Sequence, residues 1–181
     1  METYKINIFR DRINQCRSAE EAKDIVADLL MARHDYFGRE VCYYLDIEFR
    51  QDVPAYDILL EFLPAGTAFN IRNCTPDNFI IHNGKLYVID YKVSTDHAYG
   101  QKTYEKYTQI FGDALSELPF DFEVVIIRAD PLRDTIHVNS NQFLEIFGPL
   151  NINLDFTWFF NLRSLIYEKY KDDDRFLEIV N

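Results

Sequence analysis

Residues Thr75–Val93 read TPDNFIIHNGKLYVIDYKV. Asn83-Gly84 lies between two apolar runs rich in β-branched and aromatic residues. This is the strongest short-range hairpin signal, because both central positions of a type I′ turn need positive φ. The reading is two antiparallel strands, Asn78–His82 and Lys85–Val93. With a two-residue loop, His82 and Lys85 are the first cross-strand pair, and opposed residue numbers sum to 167. Ile81 then faces Leu86, Phe79 faces Val88, and Asp77 faces Asp90. Alternate residues of a strand share a face. Two apolar pairs and one pair of carboxylates therefore lie on one side of the ribbon, and Lys92 extends the same row.

Like charges directly opposed destabilise a hairpin, and an apolar neighbourhood strengthens the repulsion by lowering the dielectric. A cation between the two carboxylates reverses the sign, so the register alone points to a metal site. A slip of one residue would move Asp77 to the other face. The spacing also leaves plainer readings open. TPDN is good turn chemistry by itself, and Asp90 with Lys92 makes an ordinary ion pair.

Upstream of the hairpin, residues 4–17 read as a short helix. Ser18-Ala19-Glu20-Glu21 has the capping-box pattern and starts a second helix. That helix carries Ala22, Ile25, Val26, Leu29 and Leu30 at helical spacing and runs towards Leu45, with Gly38 as a point of interruption. Asp57–Leu63 is a short helix stopped by Pro64-Ala65-Gly66. Downstream, Thr103–Glu117 reads as a helix, Phe122–Arg128 as a buried strand and Thr135–Val138 as a short one. Residues 141–147, 155–171 and 174–180 read as helical. The expected fold is α+β (mixed α/β), mainly helical, with a small central twisted sheet surrounded by helices.

The chain has 181 residues, enough for one domain with a proper core. The domain is therefore expected to span 1–181. Nineteen Lys+Arg against thirty Asp+Glu give a formal charge of −11. Such a surface repels phosphate on average, which argues against general nucleic-acid binding unless cations supply local positive charge. Cys16, Cys42 and Cys74 are odd in number and far apart, so neither a zinc knuckle nor a disulfide framework is implied. No apolar run approaches the roughly 20 residues of a membrane span, and no signal-peptide pattern opens the chain.

Pro76-Asp77, twelve residues, then Asp90-Tyr91-Lys92 matches the PD-(D/E)xK nuclease pattern. In order around it stand RHDYFGRE (Arg33–Glu40), DVP (Asp52–Pro54), IDYKVS (Ile89–Ser94), TYEKY (Thr103–Tyr107) and YEKYKDDDRFLEIV (Tyr167–Val180). Together these resemble the N-terminal endonuclease domain of the large (L) polymerase protein of orthobunyavirus-type viruses. The resemblance implies a PD-(D/E)xK nuclease-like fold and a cap-snatching enzyme, which cuts capped host mRNA to make primers for viral transcription. It implies His34, Asp52, Asp77, Asp90 and the Tyr91 carbonyl as ligands of two Mn²⁺ ions, with Mg²⁺ weaker. In that set Asp77 bridges both ions, Asp90 and His34 hold the first, and Asp52 holds the second. Lys92 is the implied catalytic residue, and Lys106 and Arg33 are candidate RNA contacts. The partners implied are single-stranded RNA and the remainder of the polymerase. The setting implied is host cytoplasm and virion, without a membrane, and the domain alone is expected to be a monomer.

Two ions roughly 3.5–4 Å apart suit in-line phosphodiester cleavage, and they supply the positive charge this acidic chain lacks. An imidazole ligand favours Mn²⁺, whereas all-oxygen sites suit Mg²⁺. Without the resemblance, His34 reads as an ordinary helical histidine and Asp52 as a turn or cap residue. A non-catalytic interaction module and a DNA nuclease of the same superfamily are the alternatives. His82 is expected to be exposed, and His82, His97 and His137 to be structural or surface residues. Phe156, Phe159 and Phe160 fit a core at helical spacing better than a base-stacking platform.

Overall fold

The computed structural model describes residues 3–50, 54–60, 71, 74–96, 98–116 and 121–173. The chain divides into two compact units, Met1–Tyr36 with Leu154–Asn181, and Phe37–Asn153. Among the described residues the elements are α1 (Thr3–Gln15), α2 (Ala19–Leu45), α3 (Ala55–Leu60), β1 (Asn78–His82), β2 (Lys85–Val93), α4 (Gln101–Leu115), β3 (Asp121–Asp130), β4 (Thr135–Val138), α5 (Asn141–Phe147) and α6 (Thr157–Tyr170). The expected mixed α+β, mainly helical fold is what forms. No described helix is long and apolar enough to cross a membrane. The helix expected over 174–180 lies outside the described residues, as does residue 97.

In the first unit, Ser18 Oγ accepts from Glu21 N at 3.1 Å and so caps α2. The reciprocal bond of the capping box goes one residue further back, from Arg17 N to Glu21 Oε2 at 2.8 Å. The core joins Ile13, Ala22, Ile25 and Leu29 to Trp158, Phe159, Leu162 and Ile166. The FTWFF run is thus core, with Phe156 and Phe159 buried and Phe160 packed against the cluster. The last carbonyls of a helix need donors, and Lys169 Nζ supplies them to Ile13 O (2.8 Å), Asn14 O (3.2 Å) and Cys16 O (2.6 Å).

The second unit is built on a sheet in the order β1-β2-β3-β4. The β1–β2 hairpin has the expected register, from His82↔Lys85 to Asn78↔Ile89. Asn83 and Gly84 have φ of 49° and 77°, the positive pair that a type I′ turn needs. β2 and β3 run parallel, joined through α4, and β3 pairs antiparallel with β4. A parallel neighbour needs a covered crossover, and β2 is accordingly buried on both faces. Leu86 and Val88 pack with Tyr107, Phe111 and Leu115 of α4 and with Ala55 and Leu59 of α3. On the opposite face Tyr87 meets the Phe143 ring at 5.8 Å and Tyr91 meets Phe37 at 6.0 Å.

Two expectations change. Gly38 does not interrupt α2; the helix runs through it. A Cβ there would stand 2.7 Å from Phe49 Cε2 and 2.9 Å from Tyr91 Cδ2, so glycine lets these rings approach the helix backbone. His82 is half-buried rather than exposed, because the Phe147 ring of α5 comes to 5.7 Å from its imidazole. The Gly38 contact fixes the sign of a prediction. Alanine gains about 1 kcal/mol in helix propensity, but overpacking costs about 1–3 kcal/mol and displaces Tyr91. Gly38→Ala should lower the unfolding midpoint in urea; an unchanged or higher midpoint would reject the packing role.

Candidate active site

Pro76 has no N–H to extend a ladder, so β1 begins at Asn78 and Asp77 lies just before it, opposite Asp90 in the continued register. The next donor on β2 is nevertheless satisfied: Tyr91 N donates to Asp77 Oδ2 at 2.5 Å. The Asp77 side chain takes the place of a backbone carbonyl, which ties its carboxylate to β2. Asp90 is only 3% exposed. A buried carboxylate is costly unless paired, and Lys92 Nζ forms an ion pair with Asp90 Oδ2.

Tyr107 of α4 closes this corner. Its hydroxyl donates to Thr75 O at 3.2 Å and pins the segment before Asp77 to the helix. Burial, and then the negative charges of Asp90, Cys74 and Asp77, push the Tyr107 phenol up. Both carboxylates thus act on one phenol. Lys106, on the same helix, counts too: its charge partly offsets the rise that burial imposes on the Cys74 thiol, which Asp90 reinforces, leaving it at about 11. Lys106 Nζ also lies 5.5 Å from the Tyr107 ring centroid. On the other face, Tyr91 is fully buried, and its hydroxyl pairs with Cys42 Sγ at 3.2 Å. Asn78 Nδ2 donates to the same sulfur at 3.2 Å and to Glu48 O at 2.8 Å.

The structure therefore brings together Asp77, Asp90, Tyr91 and Lys92, with Lys106 one helix away. His34 belongs to the other compact unit, on α2, with Nδ1 3.7 Å from Asp35 Oδ1 and a side chain 29% exposed. Arg33, in the same unit as His34, stacks its guanidinium over the Phe159 ring at 4.5 Å. Asp52 lies outside the described residues. The Tyr107–Thr75 clamp was not foreseen. Its signal is in the sequence, because Tyr107, Phe111 and Leu115 recur every four residues and mark the inner face of α4.

Hard carboxylate oxygens suit divalent cations such as Mg²⁺ and Mn²⁺. Asp77 and Asp90 offer oxygen donors of that kind, Asp77 fixed to the Tyr91 amide and Asp90 buried and ion-paired with Lys92. Among the described residues, no three His, Cys, Asp or Glu side chains gather into a metal-holding group.

The buried acids around this corner set a pH dependence. Burial raises Cys42, Cys74 and Tyr107, so the folded chain holds protons that the unfolded chain releases from about pH 9 upward. Where the unfolded state binds fewer protons, stability falls with rising pH. The urea midpoint should therefore drop between pH 8.5 and 10.5, and the Cys42 and Cys74 thiols should resist alkylation at pH 8. A flat midpoint across that window would reject this electrostatic picture.

The family model described as L protein N-terminus matches residues 1–179. The chain belongs to that family. It is 99% identical over all of its length to the RNA-directed RNA polymerase L of Bovine Schmallenberg virus. It is 45% identical over 98% of its length to that of Bunyavirus La Crosse, and 41% identical over 99% to that of Bunyamwera virus. The chain spans 8% of the length of each of these L proteins. Among solved structures, an N-terminal domain of a reptarenavirus L protein aligns with TM-score 0.59 at 14% identity, covering 98% of this chain and 83% of that one. At that identity the likeness bears on the fold alone. The L protein N-terminus family is the one that the PD…DYK motif and its flanking segments resemble.

Proposed function

We propose that this L-protein segment is a single endonuclease domain that cleaves single-stranded RNA, with capped host mRNA as the substrate and primers for viral transcription as the product. The observation that carries this reading is the convergence of Asp77, Asp90 and Lys92 at one end of the hairpin. Membership of the L-protein family supports it.

Asp77 and Asp90, with the Tyr91 carbonyl, are the residues here that would hold Mn²⁺; His34 and Asp52 enter through the resemblance alone. Two such ions would supply charge neutralisation and water activation at the scissile phosphate. Lys92 compensates the buried Asp90, and in the reaction it would activate the attacking water or stabilise charge on the phosphate. Asp77 is held by the Tyr91 amide and cannot swing away without leaving that donor unsatisfied. Lys106 places a further positive charge on the adjacent helix, suited to a flanking phosphate. The domain would act in the host cytoplasm, and in the virion as part of the polymerase.

The test is incubation of the chain with 5′-labelled unstructured RNA, with and without Mn²⁺, alongside Asp77→Ala and a thermal melt. Mn²⁺-dependent cleavage by the parent alone, with a melting rise by mass action, supports the nuclease. Neither cleavage nor a melting rise would reject it in favour of an interaction module.

A further inference from the structure

A cleft of about 270 Å³ opens beside the acid–lysine corner, lined by Tyr99, Gly100, Tyr104, Arg128, His137 and Asn139 among others. We propose that it is a subsite for one nucleotide of single-stranded RNA adjoining the scissile bond. This rests on the nuclease reading above and adds where the chain of the substrate runs.

The register carries the argument. Lys92 of β2 pairs with Arg128 of β3, and Arg128 pairs with His137 of β4. Laterally paired residues share a face of the sheet. Two permanent cations and a histidine thus form one row across three strands, beginning at Lys92 and ending in the cleft. With strands about 4.8 Å apart, the row spans on the order of 10 Å. Lys92 is balanced by Asp90, so in a chain of net charge −11 the Arg128–His137 end of the row is the local attraction for phosphate. Arg128 is 5% exposed and donates from Nη1 to Ser94 O at 2.8 Å, so its guanidinium is fixed in the cleft wall.

The cleft and the corner also share a wall. A Cβ at Gly100 would stand 2.9 Å from Ile126 Cγ2 and 3.6 Å from Lys92 Cγ. Gly100, at φ 110°, leaves the first turn of α4 without a side-chain cap, which adds the positive end of the helix to the same rim. Tyr99, 53% exposed, and Tyr104, half-buried, line the cleft together with Arg128 and His137. Aromatic faces with a cationic track are what sequence-tolerant single-strand binding uses. The volume is just under the roughly 300 Å³ at which small-ligand pockets begin.

The experiment measures binding of labelled, unstructured RNA by polarisation, together with KM and kcat in Mn²⁺, for the parent, Tyr99→Ala, Tyr99→Phe and His137→Ala. Both positions are exposed, so the variants should fold. Tyr99→Ala should bind about tenfold more weakly, with KM raised to match, kcat within about twofold, and Tyr99→Phe restoring the parent value. An abasic nucleotide at the stacked position should cause the same loss and add nothing to Tyr99→Ala. His137→Ala should weaken binding severalfold. Unchanged binding in both Tyr99→Ala and His137→Ala overturns the subsite, whether or not the parent cleaves. A parent that binds through the cleft but shows neither cleavage nor a Mn²⁺-dependent melting rise would keep the RNA subsite and reject the nuclease. A parent that neither binds nor cleaves rejects both.

Discussion

Asp77→Ala should lower RNA cleavage by about a thousandfold or more, the scale on which a group central to transition-state charge stabilisation acts, and should abolish the Mn²⁺-dependent rise in melting temperature. Both losses are expected together because Asp77 stands opposite the buried Asp90 and is fixed by the Tyr91 amide. Without it, one carboxylate remains where two had gathered. The structural cost is separable. Alanine leaves Tyr91 N–H without its acceptor, which costs about 1–3 kcal/mol when buried and lowers stability in the absence of metal. Asp77→Asn offers an oxygen to the same N–H but no charge. It should recover most of the metal-free stability while cleavage stays lost. Cleavage retained within tenfold in Asp77→Asn would sink the metal-holding role.

How much of this was readable from the chain depends on how local each determinant is. The hairpin register was legible because a two-residue Asn-Gly loop leaves no freedom in which residues face each other. The pairing of Asp77 with the Tyr91 amide was not, since a side chain standing in for a backbone carbonyl has no periodic trace. The α2 helix was legible in its cap and apolar spacing, yet Gly38 read as a break. Its reason is the pair of rings packed on it, Phe49 and, 53 residues away in sequence, Tyr91, which leave no room for a Cβ. The parallel pairing of β2 with β3, and with it the row from Lys92 to His137, follows from a crossover through α4. Such long-range pairing sets the geometry of a site without leaving a local pattern. His34 and Asp52 carried no chemical signal beyond the family resemblance, because one is an ordinary helical histidine and the other an ordinary residue before Val-Pro.

Lys92→Ala should separate catalysis from metal binding, and the ion pair says how. Cleavage should fall by about a hundredfold to a thousandfold, as when a general acid–base or charge-stabilising group is removed. The metal ligands of the proposed set remain. In the metal-free protein, however, the variant leaves the Asp90 carboxylate, 3% exposed, without its ammonium partner. Removing one member of a buried pair costs about 3–5 kcal/mol, and the partial exposure of Lys92, whose side chain is 19% accessible, places the expected loss at the lower end. The melting temperature without metal should therefore fall. Saturating Mn²⁺ should then raise it by more in Lys92→Ala than in the parent, because the ion relieves a repulsion that the lysine otherwise relieves. In the parent, Lys92 already compensates Asp90, so a bound ion would add less. The opposite order, a smaller Mn²⁺ shift in the variant, would mean that Lys92 builds the site rather than guards it. Cleavage unchanged in Lys92→Ala would remove it from the reaction altogether.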